Sequence, residues 1–191
     1  MKKLLLTAAL AVATMIGANA QIYVGGSLGF DSYNEESGSA LKNQFTISPE
    51  IGFYLSEKFD VGLDFSFSTE KYHNDAKGNS WAIAPYARYS FLQFGKFEVI
   101  GKAQIYFEGD KQEDPAGNEL KGTGFGLNVT PILAYNLTEN WVLFTQLNCF
   151  ALGFSSYTPD GGDAGTHFGL GLDANDLYNT NNLQVGFVYK F

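Results

Sequence analysis

The chain has 191 residues, with 12 Lys and Arg against 20 Asp and Glu; the formal charge of −8 argues against a nucleic-acid partner, because phosphate binding needs a basic footprint. Its single cysteine, Cys149, excludes an intramolecular disulfide framework and a cysteine-rich metal site. With 17 Phe, 11 Tyr and 22 Gly but a mean hydropathy of −0.09, the composition suits alternating strands, and outside the N-terminal segment no apolar run is long enough for a membrane-spanning helix.

Met1-Lys2-Lys3 is a short basic segment, Leu4 to Gly17 is mostly apolar and small, and Ala18-Asn19-Ala20 forms an A-x-A cleavage pattern. That layout is a secretory signal peptide over residues 1–20, not an anchor: the run is too short to span and no stop-transfer segment follows. No cysteine stands at the cleavage point, so a lipid anchor is not expected there. The exported chain is expected to be one domain, residues 21–191, with a formal charge of −10 once Lys2 and Lys3 are removed from the total of −8.

From Gln21 the chain reads as alternating strands. Ile22, Val24, Gly26, Leu28 and Phe30 alternate with Tyr23, Gly25, Ser27, Gly29 and Asp31. After the polar stretch Ser32 to Asn43, the residues Phe45, Ile47, Pro49, Ile51, Phe53 and Leu55 share one face. A short turn, Ser56-Glu57-Lys58, leads to Phe59, Val61, Leu63, Phe65 and Phe67 on the next strand.

This hairpin recurs. Pro49 to Leu55 leads through a turn to Phe59, Pro85 to Leu92 leads to Phe97, and Pro131 to Leu137 leads to Trp141. Each copy has a proline on the apolar face, a tyrosine near the strand end, a leucine, a tight turn and an aromatic. Proline inside a strand normally marks an edge, so its recurrence at one hairpin position predicts a shared kink or bulge. Longer polar segments separate the copies: Lys71 to Ser80, Gly109 to Lys121, and Ser155 to about Asn182. The first strand, three hairpins and the last strand make eight, with short turns on one side and long loops on the other.

The face opposite the apolar set carries Glu50, Asp60, Asp64, Arg88, Glu98, Lys102, Glu108 and Lys190, mixed in sign and interspersed with Gly, Ser and Tyr. Small residues and paired charges suit the lumen of a narrow barrel, with the unbroken apolar set outside against lipid. Aromatics gather at strand ends, Phe59, Phe97 and Trp141 by the short turns, Tyr72 and Trp81 by a long loop, as two interfacial girdles would. The seventh strand fits least well: with Trp141, Leu143, Thr145, Leu147 and Cys149 outward, Val142, Phe144 and Phe150 face inward, and its register stays open. A soluble lipocalin-like barrel has the same period with the apolar face inside, but would leave an aromatic-rich last strand unexplained.

That last strand, Leu183 to Phe191, sets Leu183, Val185, Phe187, Tyr189 and Phe191 on one face and ends on the aromatic. Its Gln184, Gly186, Tyr189 and Phe191 resemble the C-terminal insertion signal of bacterial outer-membrane barrels, which the barrel assembly machinery reads. Taken with the leader and the repeat, the chain resembles the small eight-stranded outer-membrane barrels of the OmpA/OmpX sort. The resemblance implies an all-β fold: an eight-stranded antiparallel up-and-down transmembrane barrel with short periplasmic turns and long extracellular loops. It also implies residence in the outer membrane of a Gram-negative bacterium.

Signals for chemistry are sparse. His73 and His167 are the only histidines; Ser155, Ser156, Asp160 and Asp163 lie near His167, but no spacing brings nucleophile, base and orienting acid together. The acidic stretches Asp160 to Gly165 and Asp173 to Asn179 lack the residue order of a calcium loop. No catalytic residue, cofactor or metal is therefore expected. The role expected is structural or surface-interacting, through the outer loops, with a narrow pore as the alternative and an outer-leaflet lipid enzyme behind it. Expected partners are outer-membrane lipid, the assembly machinery and an unnamed surface ligand or host protein; nucleic acid is not expected, and the protein is expected to be a monomer.

Overall fold

The computed structural model describes residues 21–32, 41–72, 74–147, 150–159, 163, 165–172 and 183–191. The expected leader at residues 1–20, His73, Asn148, Cys149, Asp160 and the stretch 173–182 lie outside them. The described strands are β1 (Gln21–Ser32), β2 (Leu41–Ser56), β3 (Phe59–Tyr72), β4 (Lys77–Phe94), β5 (Phe97–Glu113), β6 (Glu119–Asn136), β7 (Trp141–Leu147), β8 (Phe150–Pro159), β9 (Gly165–Leu172) and β10 (Leu183–Lys190). All ladders are antiparallel, and β1 to β6 pair in chain order.

Eight wall positions result from ten strands because the last two positions are each built from two pieces. The strand β7 pairs with the Ile132–Asn136 part of β6, and β8 pairs with the Gly122–Val129 part. In turn β10 pairs with β7 and β9 pairs with β8. The barrel closes where β10 pairs with β1, from Tyr23 opposite Lys190 to Leu28 opposite Val185. Closure leaves no free edge in that part of the sheet, which matters for a chain with this much strand-forming aromatic content.

Burial follows period two around the wall, and it is inverted relative to a soluble barrel. Val24, Leu28, Ile47, Ile51, Phe65, Phe67, Ile105, Phe107, Leu127, Leu143, Val185 and Phe187 are exposed on the outside, while Ser48, Glu50, Asp60, Asp64, Arg88 and Lys102 are buried inside. Apolar surface of this extent is stable only against lipid. The two girdles appear as expected at Phe59, Phe97 and Trp141 on the short-turn side and at Trp81 on the other, where Phe67 and Phe107 join it. From Trp81 to Phe91 the chain rises ten residues; at ~3.3 Å per residue and a tilt near 40° this spans about 25 Å, the height of the apolar band of such barrels. Tyr72 is a correction: it lies on the lumen face, its hydroxyl donating to the Glu70 carboxylate at 2.7 Å.

Two further expectations change. No bulge accompanies Pro49 or Pro85: the register of β2 with β3 is the same on either side of Pro49, and that of β4 with β5 on either side of Pro85. At Pro131 the expected irregularity is present: β6 changes partner there, from Val129 opposite Leu152 in β8 to Ile132 opposite Gln146 in β7, a step of three on one strand against six on the other. Each proline withholds one N–H from the ladder, and pairing resumes beyond it. Other register shifts fall near two short turns, between Tyr54 and Ser56 and between Ser90 and Leu92, and at the outer end of β2, between Leu41 and Asn43. The polar segments Lys71–Ser80 and Gly109–Lys121 fold largely as continuations of β3 to β6. The Lys111–Glu119 ion pair links β5 to β6 there, and Thr46 pairs with Ser68 (2.7 Å) across β2 and β3 just before the first of these segments. Likewise Ser155 to Pro159 extends β8, and Phe168 to Leu172 lies in β9, opposite it.

Candidate functional site

The lumen is the candidate site, and neighbouring strands of the wall supply its charges. Alternation points Glu50 of β2, Asp60 and Asp64 of β3, Arg88 of β4 and Lys102 of β5 inward, and all five are buried. Arg88 Nε donates to Asp60 Oδ1 at 2.8 Å and its Nη1 to Glu50 Oε1 at 3.2 Å. Lys102 Nζ donates to Asp64 Oδ2 at 2.7 Å and lies 4.0 Å from Glu50 Oε2. Glu50 thus bridges the two cations. Three carboxylates against two cations leave the cluster one negative charge, with desolvation offset by these short charge-assisted bonds.

Two tyrosines complete it, and the sequence pattern does not single them out. The Tyr23 hydroxyl donates to Asp60 Oδ1 at 2.6 Å and lies 2.8 Å from the Tyr86 hydroxyl. The Arg88 guanidinium carbon sits 4.8 Å from the Tyr23 ring centroid, and Lys102 Nζ sits 4.5 Å from that of Tyr86. Both tyrosines lean over glycines directly opposite them, Tyr23 over Gly52 and Tyr86 over Gly62. A Cβ at either glycine would overlap the phenol end. Alternation places Tyr23 opposite the apolar face of its strand, and the hint of where its ring goes is the pairing of large and absent side chains on neighbouring inward positions.

The other side of the lumen is apolar. Ile132 and Ala134 of β6, Val142 and Phe144 of β7 and Val188 of β10 form one buried cluster with Tyr23 and Tyr86. This settles the register left open for the seventh strand: Trp141 and Leu143 are outside, and Val142 and Phe144 are inward because they pack the plug. Phe144 lies over Gly186, whose missing side chain makes room for the ring. Together the charged and apolar halves fill the cross-section of the lower lumen, the expected state of an eight-stranded barrel.

Beyond the plug, on the side away from the short turns, lies a polar cavity of about 370 Å³ bordered by Ser48, Gln104, Asn128, Gln146 and Gln184 among others. It shares Glu108 with a second cavity of about 430 Å³ near the outer rim.

A family model described as outer membrane protein beta-barrel domain matches residues 4–191. The chain belongs to this family. Among solved structures, Neisserial surface protein A (NspA) is 15% identical over 90% of this chain and 96% of its own, with a TM-score of 0.54. A major outer membrane protein from Thermus thermophilus is 17% identical, covering 91% and 100%, TM-score 0.49. The N-terminal β-barrel domain of Pseudomonas aeruginosa OprF is 14% identical, covering 91% and 100%, TM-score 0.47. At this identity the likeness to NspA shows the fold. No curated protein matches the chain.

Within this outer-membrane barrel the expected lumenal residues divide. Glu50, Asp60, Asp64, Arg88 and Lys102 come together; Glu98, Glu108 and Lys190 stand apart from them. Lys190 Nζ lies 4.9 Å from the Tyr54 ring centroid at the short-turn end, and Glu108 borders both outer cavities. Of the residues expected to form a C-terminal signal, Gln184 faces the lumen and its Oε1 accepts from Gln146 Nε2 at 2.9 Å and Ser27 Oγ at 3.2 Å. Tyr189 stacks edge-on with Phe191 and with Trp141, each at 5.0 Å. Ser155 and His167 are directly opposed in the ladder of β8 and β9.

Proposed function

We propose that the protein is a monomeric, non-enzymatic barrel of a Gram-negative outer membrane whose role is structural or surface-interacting. It reaches that membrane through the leader at residues 1–20 and through assembly machinery reading the last strand. One observation carries the reading: the buried set Glu50, Asp60, Asp64, Arg88 and Lys102, with Tyr23, Tyr86 and Phe144, packs the lumen on the short-turn side. A packed lumen supports neither passive transport nor substrate entry from within, which leaves the outer strand extensions and loops to meet partners.

The test is single-channel recording of the protein in a planar bilayer, paired with a boiled-versus-unboiled gel. A heat-modifiable barrel without discrete conductance steps is expected. Reproducible steps from the same heat-modifiable sample would replace the role with that of a narrow pore.

A further inference from the structure

On the outside of the wall, just beyond the outer girdle, the strands β3 to β6 repeat one spacing. Lys71 follows Phe67 by four residues, Lys77 precedes Trp81 by four, Lys111 follows Phe107 by four and Lys121 precedes Phe125 by four. An even spacing keeps each lysine on the outward face with its aromatic, and in every case the lysine is nearer the outer end of the strand. At ~3.3 Å per residue and a tilt near 40° each lies about 10 Å above the girdle, from where its four-carbon stem reaches the headgroup layer.

The register makes the four lysines one band. From Leu28 the ladder leads through β10 and β7 to Leu133 of β6. The other way round, through β2, β3, β4 and β5, it leads to Thr123 of the same strand, ten residues nearer the outer end. Spread over eight wall positions, this makes paired residues climb by about 3 Å per strand from β1 to β6. The climb brings all four lysines within about 4 Å of one height. It also lifts Glu113 and Glu119, which continue the row of Lys71 and Lys77, above the band.

Within the band like charges are opposed: Lys71 stands directly opposite Lys77, and Lys111 directly opposite Lys121. Such pairs repel unless an anion lies between them. Lys111 and Lys121 share the Glu119 carboxylate and Lys71 lies 3.7 Å from Asp75, but among the described residues Lys77 is in no ion pair. Thr69 and Asn79, directly opposed just beneath the band, add a hydroxyl and an amide. The arrangement is one-sided, since β1, β7, β8 and β9 contain no Lys or Arg. In a chain with 12 basic residues against 20 acidic ones, that concentration favours an anionic partner on this face.

We infer that the outer β3–β6 face holds the phosphate headgroup of a lipid in the outer leaflet. The lysines supply the opposite charge at headgroup height, and the aromatics beneath them meet the acyl chains. The inference rests on the outer-membrane reading proposed above, and adds which face meets the lipid and by what chemistry.

The test is fluorescence anisotropy of a labelled phosphatidic acid titrated with the full-chain protein folded in a neutral detergent, with diacylglycerol of the same chains and inorganic phosphate as competitors. Saturable binding that neither competitor displaces is expected. Lys77→Gln and Lys121→Gln should each weaken it by about five-fold, the loss of one lysine beside an anionic headgroup. Lys58→Gln, in a short turn at the other end of the barrel, should leave it unchanged. Heat modifiability certifies the fold of each variant, and if Lys121→Gln fails to fold, Lys77→Gln, which breaks no ion pair of the described residues, decides. Displacement by diacylglycerol would reduce the face to its apolar belt, and displacement by inorganic phosphate would make it an anion site indifferent to lipid; either overturns the inference, as does unchanged affinity in both lysine variants or an equal loss in Lys58→Gln. A silent, heat-modifiable barrel that does not select phosphatidic acid overturns this inference alone, and a conducting barrel that selects it overturns the closed-lumen reading alone.

Discussion

At the scale of single residues the plug depends on two absences. Gly52 and Gly62 have no side chain, and the phenol ends of Tyr23 and Tyr86 occupy the space a Cβ would need. Gly62→Ala should displace Tyr86 from its hydrogen bond with Tyr23 and from beneath Lys102, costing about 1–3 kcal/mol, as overpacking of a filled core does. The expected sign is a lower urea midpoint for loss of the heat-modifiable band; an unchanged midpoint would mean that the tyrosines are not held there. Arg88 is the harsher case. It divides its donors between Asp60 and Glu50 through different nitrogens, so removing it leaves Asp60 with the Tyr23 hydroxyl alone and Glu50 with Lys102 at 4.0 Å, at about 3–5 kcal/mol. Arg88→Met should show that full loss, and Arg88→Lys should recover only part of it, because an ammonium cannot reproduce the fork. Equal midpoints for wild type and Arg88→Met would show the cluster to be dispensable. The inward direction of Glu50, Asp60 and Arg88 could be read from alternation alone. The roles of Tyr23 and Tyr86 could not: alternation sets Tyr23 on the inward face, but its partners lie 37 and 63 residues away and nothing local names them.

At the scale of elements, apolar alternation fixed which face of β1 to β6 meets lipid, but not where each strand ends. Polar residues beyond the girdle read as loop because strand and loop both tolerate them; the ladder and its cross-strand pairs decide. The turn joining β5 to β6 shows how such an extension is closed. The Asp114 carboxylate accepts from the backbone N–H of Ala116 at 2.9 Å and of Asn118 at 2.8 Å, and from Asn118 Nδ2 at 2.7 Å. Gly117 takes the positive φ of 86° that completes the turn. These bonds, led by the Asn118 side chain, hold the Asp114 carboxyl below its ordinary value of 3.8. A depressed folded value means that the contribution to turn stability is present above 3.8 and is lost as pH falls through the lowered value. In a detergent NMR titration the Asn118 amide should shift with a midpoint below 3.8, and the shift should vanish in Asp114→Asn. A midpoint at or above 3.8 would mean that the carboxylate does not hold the turn. The wall position built from β7 and β8 was the least legible element, since its inward Val142 and Phe144 have the polarity of the outside and only the packed plug explains them.

At the scale of the whole molecule, everything depends on joining the first strand to the last. Six residue pairs run from Tyr23 opposite Lys190 to Leu28 opposite Val185. Beyond them, the N–H of Phe191 donates to the Ile22 carbonyl at 2.9 Å, and that of Lys190 to the Asn140 carbonyl at 2.8 Å. Trp141, Tyr189 and Phe191 stack in sequence around this seam and place it in the short-turn girdle. Phe191 is two-thirds exposed, at 66%, so a purely local ledger gives its ring little weight within the protein. Its value lies in the lipid interface and, on the proposed reading of the last strand, in recognition of that strand while the barrel forms. Phe191→Ser should therefore lower the folded fraction in the outer membrane several-fold, on the order of 1 kcal/mol of lost interfacial burial plus impaired recognition. Leu120, as exposed at 68% but at the outer end of β6, provides the contrast. Leu120→Ser removes comparable apolar surface far from the seam and should assemble normally. If both variants assemble like the wild type, the terminal aromatic has no privileged part in closing the barrel, and the backbone ladder of β1 with β10 closes it unaided. If both fail alike, the defect is one of exposed apolar area and not of position.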